Sequence, residues 1–261
     1  MSNNKINTLI DEEHIKILFS IFKNQNAEIR LVGGSIRDLL MNREIADIDS
    51  ATDLEPNEVL RLLKEHKIEY DDYAIRYGSI IAYPNNKKIQ ITSLREDINQ
   101  LGRHTSVLFT KDWKKDAARR DFTFNALYLG EDSKLYDYYN GQEDLQAKVI
   151  KFIGEIEDRI KEDYLRIYRY FRFLGLFELP LIDKKTQSIV EKYIHESLSV
   201  LTNDVIRQEI LKMFNMPFPL NCFYRSQVKF KWVEILKEHF IKTNYELGLK
   251  KCLNKIDSII N

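Results

Sequence analysis

The sequence predicts an α+β protein: a head of mixed strands and helices before about residue 150, then an all-helical part. Three observations predict it. Short apolar strand-like runs alternate with helical periods through the first half. A glycine pair joins a strand to a helix in LVGGSIRD, residues 31–38. From residue 155 onward the apolar positions recur almost wholly at helical spacing.

The elements follow in order. Residues 11–24 carry apolar side chains at 15, 18, 19 and 22, a helical period. EIRLV reads as a strand, GG as a tight turn and SIRDLLMN as a short helix. ADIDSAT, residues 46–52, is a second strand. PNEVLRLLKEH, residues 56–66, opens with proline at a first helical turn. GSIIAYP and KIQITSL flank NNKK as a hairpin. Residues 95–112 form a long polar connection, a length associated with functional loops. RRDFTFNALYL follows, then a turn at EDSK and a short strand VIKFIG. EIEDRIKEDYLRIYRYFRFLGLF reads as one long helix. TNDVIRQEILKMF starts another, capped by Asn203 or Asp204 and broken by PFPL.

Composition narrows the class. The 261 residues are 44% hydrophobic and 31% charged, as in a soluble globular protein. No apolar run has the length of a bilayer span, and the N-terminus lacks the basic-then-apolar order of a secretory signal. Cys222 and Cys252 form no CxxC and read as reduced thiols of a cytoplasmic protein. The net charge is zero, but residues 205–261 hold ten Lys and Arg against five Asp and Glu. That excess suits a polyanion or a solvated lysine-rich surface. The five histidines are scattered without ligand spacing, and Trp113 and Trp232 read as packing residues.

Asp47 and Asp49 stand two apart in a strand pattern, so both point to one face while Ile48 points to the other. Carboxylates that close repel unless a cation joins them, and Mg²⁺ suits an all-oxygen pair. An acidic exposed strand face is the other reading. Gly33 and Gly34, between a strand end and a helix, let backbone approach a phosphate, and Arg37 adds a charge one turn later. Together these features describe a site for a nucleoside triphosphate and its metal.

Glu162, Asp163, Arg166, Arg169 and Arg172 share a segment crowded with Tyr and Phe. At i, i+3, Asp163 and Arg166 are helix neighbours. Carboxylate accepts and guanidinium donates, so such an edge pairs with the amino-bearing faces of C and A and mismatches U and G. A salt bridge inside the helical part is the alternative.

LVGGSIRDLLMNREIADIDSAT, ARRDFTFNALYL and KEDYLRIYRYFRF resemble, in order and spacing, the class II tRNA nucleotidyltransferases. These are the CCA-adding enzymes and the related bacterial poly(A) polymerases. LREDINQLGRHTSVLFTKDWKKDAARRDF resembles the mobile loop of that family. The similarity runs from about residue 28 to about 212.

The resemblance implies a polymerase-β-like nucleotidyltransferase head (1–150), a helical neck for base recognition (151–220) and a short helical body (221–261). It implies that Asp47 and Asp49 bind catalytic Mg²⁺ and that Gly34 and Arg37 hold the triphosphate. Arg120 would contact the nucleotide, and Asp121 and Asn125 the sugar region. Asp163 and Arg166 match the family's template for C and A, with Arg169 and Arg172 reaching phosphates. Asp97 and Arg103 fall in the loop thought to couple nucleotide switching to head motion. The partners implied are CTP, ATP and tRNA lacking part or all of its 3′ CCA, with no membrane. The reaction implied is attack of the tRNA 3′-OH on the α-phosphate with loss of pyrophosphate, Asp49 accepting the proton.

Two departures accompany the resemblance. Gln90 stands where many relatives have Glu, and little follows residue 220 beyond two or three basic helices. Weaker tRNA anchoring through that basic segment is expected, with steep salt dependence. The rival readings are an A-adding or CC-adding specialist, a poly(A) polymerase, an RNA-binding pseudoenzyme and a DxD glycosyltransferase. The retained loop favours full CCA addition, and the EDxxR and RRDFT segments have no task in a glycosyltransferase.

Overall fold

The computed structural model describes residues 2–101 and 104–223 and divides into two units, the second beginning at about residue 146. The first unit opens with α1 (Ser2–Ile10) and α2 (Glu13–Lys23), then β1 (Ile29–Val32), α3 (Gly34–Leu40) and β2 (Ile48–Thr52). Next come α4 (Pro56–Glu65), β3 (Tyr70–Asp71), β4 (Ser79–Ala82) and β5 (Ile89–Ser93). A ribbon of β6 (Arg95–Leu101) and β7 (His104–Phe109) leads to α5 (Trp113–Ala118), β8 (Leu127–Leu129), β9 (Leu135–Asp137) and α6 (Gly141–Gln146).

Seven strands form one sheet in the order β3-β4-β5-β2-β1-β8-β9. Only β2 and β5 pair in parallel; the other neighbours are antiparallel. Period-2 alternation divides its faces. Ile29, Leu31, Ile80, Ala82, Ile89, Ile91, Leu127 and Leu129 belong to a core shared with α1, α2 and α4, where Phe19, Phe22, Val59, Leu62 and Leu63 are buried. The opposite face carries a row of register partners across five strands: Gln90, Asp49, Val32, Tyr128 and Tyr136. On β1, one step along that face, the Arg30 guanidinium lies 3.9 Å from the Trp113 ring centroid and 3.5 Å from that of Tyr136. It also pairs with Glu28 and donates to the Tyr138 hydroxyl. This cation clamp holds α5 against the sheet.

The second unit is helical: α7 (Ile156–Glu162), α8 (Leu165–Leu174), α9 (Lys184–Lys192), α10 (Ile194–Val200), α11 (Asn203–Phe214) and α12 (Pro219–Phe223). Its core centres on α8, which buries Ile167, Tyr168, Tyr170, Phe171, Phe173 and Leu174. Glu209 of α11 is buried and pairs with Arg172 at 2.8 Å.

Five expectations change. The polar stretch 95–112 is a two-stranded ribbon rather than an unstructured loop. The strand of ADIDSAT begins at Ile48, leaving Asp47 just before it. The long helix breaks at Asp163, whose φ of −150° and ψ of 102° are extended. Asp163 instead precedes Tyr164, the N-cap of the new helix, and its carboxylate accepts the Leu165 N–H at 2.9 Å. VIKFIG contributes an isolated bridge, Val149 to Leu181. Thr202, not Asn203 or Asp204, occupies the N-cap of α11.

Candidate active site in the first unit

Gly33 ends β1 with φ +78°, a conformation that glycine adopts without the penalty of a Cβ. Its N–H donates to Leu127 O at 3.1 Å, so this donor already serves the sheet. A Cβ on Gly33 would lie 3.5 Å from an Arg120 guanidinium nitrogen. The glycine turn therefore lies against Arg120, as the strand end, the positive φ and the absent side chain require.

Asp47 and Asp49 flank Ile48 at the start of β2. The Asp47 side chain is 77% exposed and lies 4.0 Å from Lys88. Asp49 is half-buried, and burial pushes its carboxyl above the usual range. Arg120 and Lys88 pull it down, whereas the Asp47 charge pushes it further up. Gln90 is the register partner of Asp49 on the parallel strand, so its amide shares that face. Among the described residues no group of three or more His, Cys, Asp and Glu side chains could hold a metal ion.

A second polar system lies in the same unit. Arg37 donates to both carboxylate oxygens of Asp38, at 3.1 and 2.8 Å, and to the Asn125 side-chain oxygen at 2.8 Å. Asn125 in turn donates to Asp121 at 3.0 Å, which also accepts the Phe122 N–H. Arg37, Asn125 and Asp121, expected to hold triphosphate and sugar, thus form a chain with Asp38 within one unit.

Sequence reasoning missed Asp116. Its side chain is fully buried on α5. It accepts from Arg119 Nε at 2.8 Å, Arg120 Nη2 at 3.1 Å, the Tyr128 hydroxyl at 2.8 Å and the Arg95 N–H at 3.3 Å. Burial alone would raise its pKa, but Arg120, Arg119 and the Tyr128 hydroxyl outweigh burial and hold it at about 2. The signal was present as spacing: Asp116 precedes Arg119 and Arg120 by three and four residues in a helical pattern. Asp97 pairs with Arg95 at 3.3 Å at the base of the ribbon, and Arg103 lies outside the described residues.

In the second unit Arg166 is buried and donates to Glu162 and to Arg159 O, both at 2.7 Å. Glu162 is an ionic partner of Arg166, and the helix break leaves the Asp163 carboxylate accepting the Leu165 N–H. Arg159 also reaches Glu162. Arg169 and Arg172 lie over the Phe173 ring, Arg172 while paired with Glu209. Trp113 packs as expected, edge-on to Tyr128, whereas Trp232 lies outside the described residues.

A strand–Gly-Gly–helix turn beside an acidic pair on a mixed sheet defines a nucleotidyltransferase head. The chain resembles the class II tRNA nucleotidyltransferase and poly(A) polymerase family. Residues 29–151 match the poly A polymerase head domain. The chain is 44% identical over 164 residues to the Homo sapiens protein named CCA tRNA nucleotidyltransferase 1, mitochondrial, covering 62% of this chain and 38% of that one. It is 34% identical over 180 residues to a Bacillus cereus CCA-adding enzyme, covering 68% of this chain and 44% of the relative. The crystal structure of the Bacillus stearothermophilus CCA-adding enzyme in complex with CTP superposes with a TM-score of 0.71 at 26% identity, covering 81% of this chain and 51% of that one. The chain therefore spans about half or less of the length of these relatives.

Proposed function

We propose that the chain is a template-independent RNA nucleotidyltransferase that adds the 3′-terminal CCA to tRNA from CTP and ATP and releases pyrophosphate. The observation that carries this reading is Arg120 lying between the glycine turn and the acidic pair, in a family whose relatives are named for CCA addition. The complex of the Bacillus stearothermophilus enzyme with CTP supports the nucleotide.

Asp47 and Asp49 would hold Mg²⁺, with Gln90 contributing at most a neutral amide oxygen. The fit is supported by the oxygen-only chemistry of the pair and by Asp49, whose carboxyl is pushed up by burial and by the neighbouring Asp47 charge despite Arg120 and Lys88. Bound there, the ion would acidify the attacking hydroxyl and neutralise charge on the departing oxygens. Asp49 accepts the proton of the tRNA 3′-OH. Gly33 and Gly34 leave room for the triphosphate, and Arg37 and Arg120 bind its oxygens. Asp121 and Asn125 orient the sugar. Asp163 and Arg166 read the base edge, with Arg169 and Arg172 toward phosphates, and Asp97 belongs to the ribbon that responds to the nucleotide, Arg103 lying outside the described residues.

In this reading residues 1–150 are the head and 151–220 the neck, and the expected body (221–261) lies, beyond residue 223, outside the described residues. The cytoplasm is its compartment in this reading, in keeping with Cys222 as a free, buried thiol. Among the described residues no helix is long and apolar enough to cross a membrane. Incubating tRNA lacking its 3′ end with CTP, ATP or both tests the activity. Stepwise addition of C, C and A is expected. A alone, C alone or a long A tract would reassign the chain to an A-adding specialist, a CC-adding specialist or a poly(A) polymerase, and no addition would leave an RNA-binding pseudoenzyme.

A further inference from the structure

One carboxylate touches both the nucleotide-facing arginine and the base of the ribbon. The Asp116 oxygens divide the work. Oδ2 accepts from Arg120 Nη2 and from the Tyr128 hydroxyl, at 3.1 and 2.8 Å. Tyr128 itself accepts from Arg120 Nε at 3.2 Å, so Arg120 is held at two nitrogens. Oδ1 accepts from Arg119 Nε at 2.8 Å and from the backbone N–H of Arg95, the first residue of β6, at 3.3 Å. The neighbouring helix residue Lys115 adds a second strap, to Glu96 at 3.0 Å. Thr110 N donates to Leu94 O at 2.9 Å and closes the ribbon at the same level.

We propose that Asp116 is a positioning residue. It fixes Arg120 in the orientation that meets the incoming nucleotide and ties that orientation to the seating of the β6–β7 ribbon. The proposal rests on the nucleotidyltransferase reading above, which supplies the nucleotide contact of Arg120. Its physical basis is pre-organisation. An arginine side chain has many rotamers, and a buried carboxylate holding two of its nitrogens' network removes that freedom before substrate arrives. Because Asp116 is fully buried, the constraint is not relaxed by water.

Asp116→Asn tests it selectively. The amide keeps an oxygen for Arg119 and the Arg95 N–H, but its NH₂ faces a guanidinium that can only donate. Loss of one charge-assisted contact should raise the KM for CTP and ATP about tenfold, with kcat and the KM for tRNA little changed. Tyr128→Phe, which leaves Asp116 both arginines, should raise the nucleotide KM by about threefold, and the double variant less than the product of the two. Independently of activity, amide hydrogen exchange at residues 95–97 should accelerate in Asp116→Ala and stay near wild type in Asp116→Asn. Wild-type protein that binds neither nucleotide would remove the functional reading together with the nucleotide half of the proposal. Wild type that binds, with variants whose nucleotide KM is unchanged or whose kcat alone falls, would overturn the proposal and leave the reading intact.

Discussion

Asp116 and the Asp47–Asp49 pair occupy the same unit and differ in how their charge is answered. Asp116 has two arginines and a tyrosine hydroxyl around one carboxylate, and its pKa falls to about 2. Asp49 has Arg120 and Lys88 at a distance, another carboxylate nearby and a neutral Gln90 beside it, and its pKa rises. Burial opposes ionisation in both cases. What separates them is the supply of donors: the chain completes one acidic site from its own side chains and leaves the other to be completed from outside. A carboxylate that a protein neutralises itself is architecture, and one it leaves short of charge is available for a cation.

The same substitution at the two places should therefore act in opposite directions. Asp49→Asn should lower nucleotide addition about a thousandfold, roughly 4 kcal/mol of transition-state stabilisation, while the metal-free protein melts higher than wild type. Single-turnover assays and thermal melts in EDTA check both halves; wild-type activity in Asp49→Asn would end the metal assignment. Arg30→Ala removes the clamp that holds α5, and with it Asp116, on the sheet. A loss of about 3 kcal/mol in urea unfolding is expected, and Arg30→Lys should recover only part of it.

The pH dependence sharpens the contrast next. Asp116 is depressed below its unfolded value, so its stabilisation is complete above pH 3.8 and disappears as pH falls through about 2. That corresponds to about 2 kcal/mol, and the stability gap between wild type and Asp116→Asn should narrow on acidification over that window. Asp49 is raised, so its ionisation opposes folding of the metal-free chain, and protons should displace Mg²⁺ already above the ordinary carboxylate range. Metal titrations of activity at pH 7.5 and pH 5.5 read this directly. The smallest effect belongs to Gln90→Glu. A third carboxylate in register with Asp49 should lower the Mg²⁺ concentration for half-maximal activity roughly threefold and slightly destabilise the metal-free protein.

Most of the first unit was legible because one face of its sheet is buried. KIQITSL alternates as a half-buried strand does, and β5 shows that alternation of buried and half-buried residues. The spacing of Asp47 and Asp49 predicts a shared strand face, but only Asp49 lies within β2. The ribbon was not legible, since REDINQL and HTSVLF lack a clean apolar period over a core and read as a polar loop. The break at Asp163 was hidden because apolar periodicity runs on across it and neither glycine nor proline marks it. Asp116 in KKDAARR drew no reading of its own, and Arg30 stood unremarked in an apolar strand. Charged residues enter an interior only with partners, and those partners come from distant parts of the chain that spacing does not reveal.

The position of β1 has a consequence for synthesis. It pairs with β2 on one side and, on the other, with β8, some ninety-five residues later in the chain. As the polypeptide leaves the ribosome, the four-residue segment IRLV keeps one hydrogen-bonding edge open until Leu127–Leu129 emerge. Nascent chains halted before that point would carry an adhesive edge directly beside the acidic pair, and they should associate with one another where chains extended past residue 129 do not.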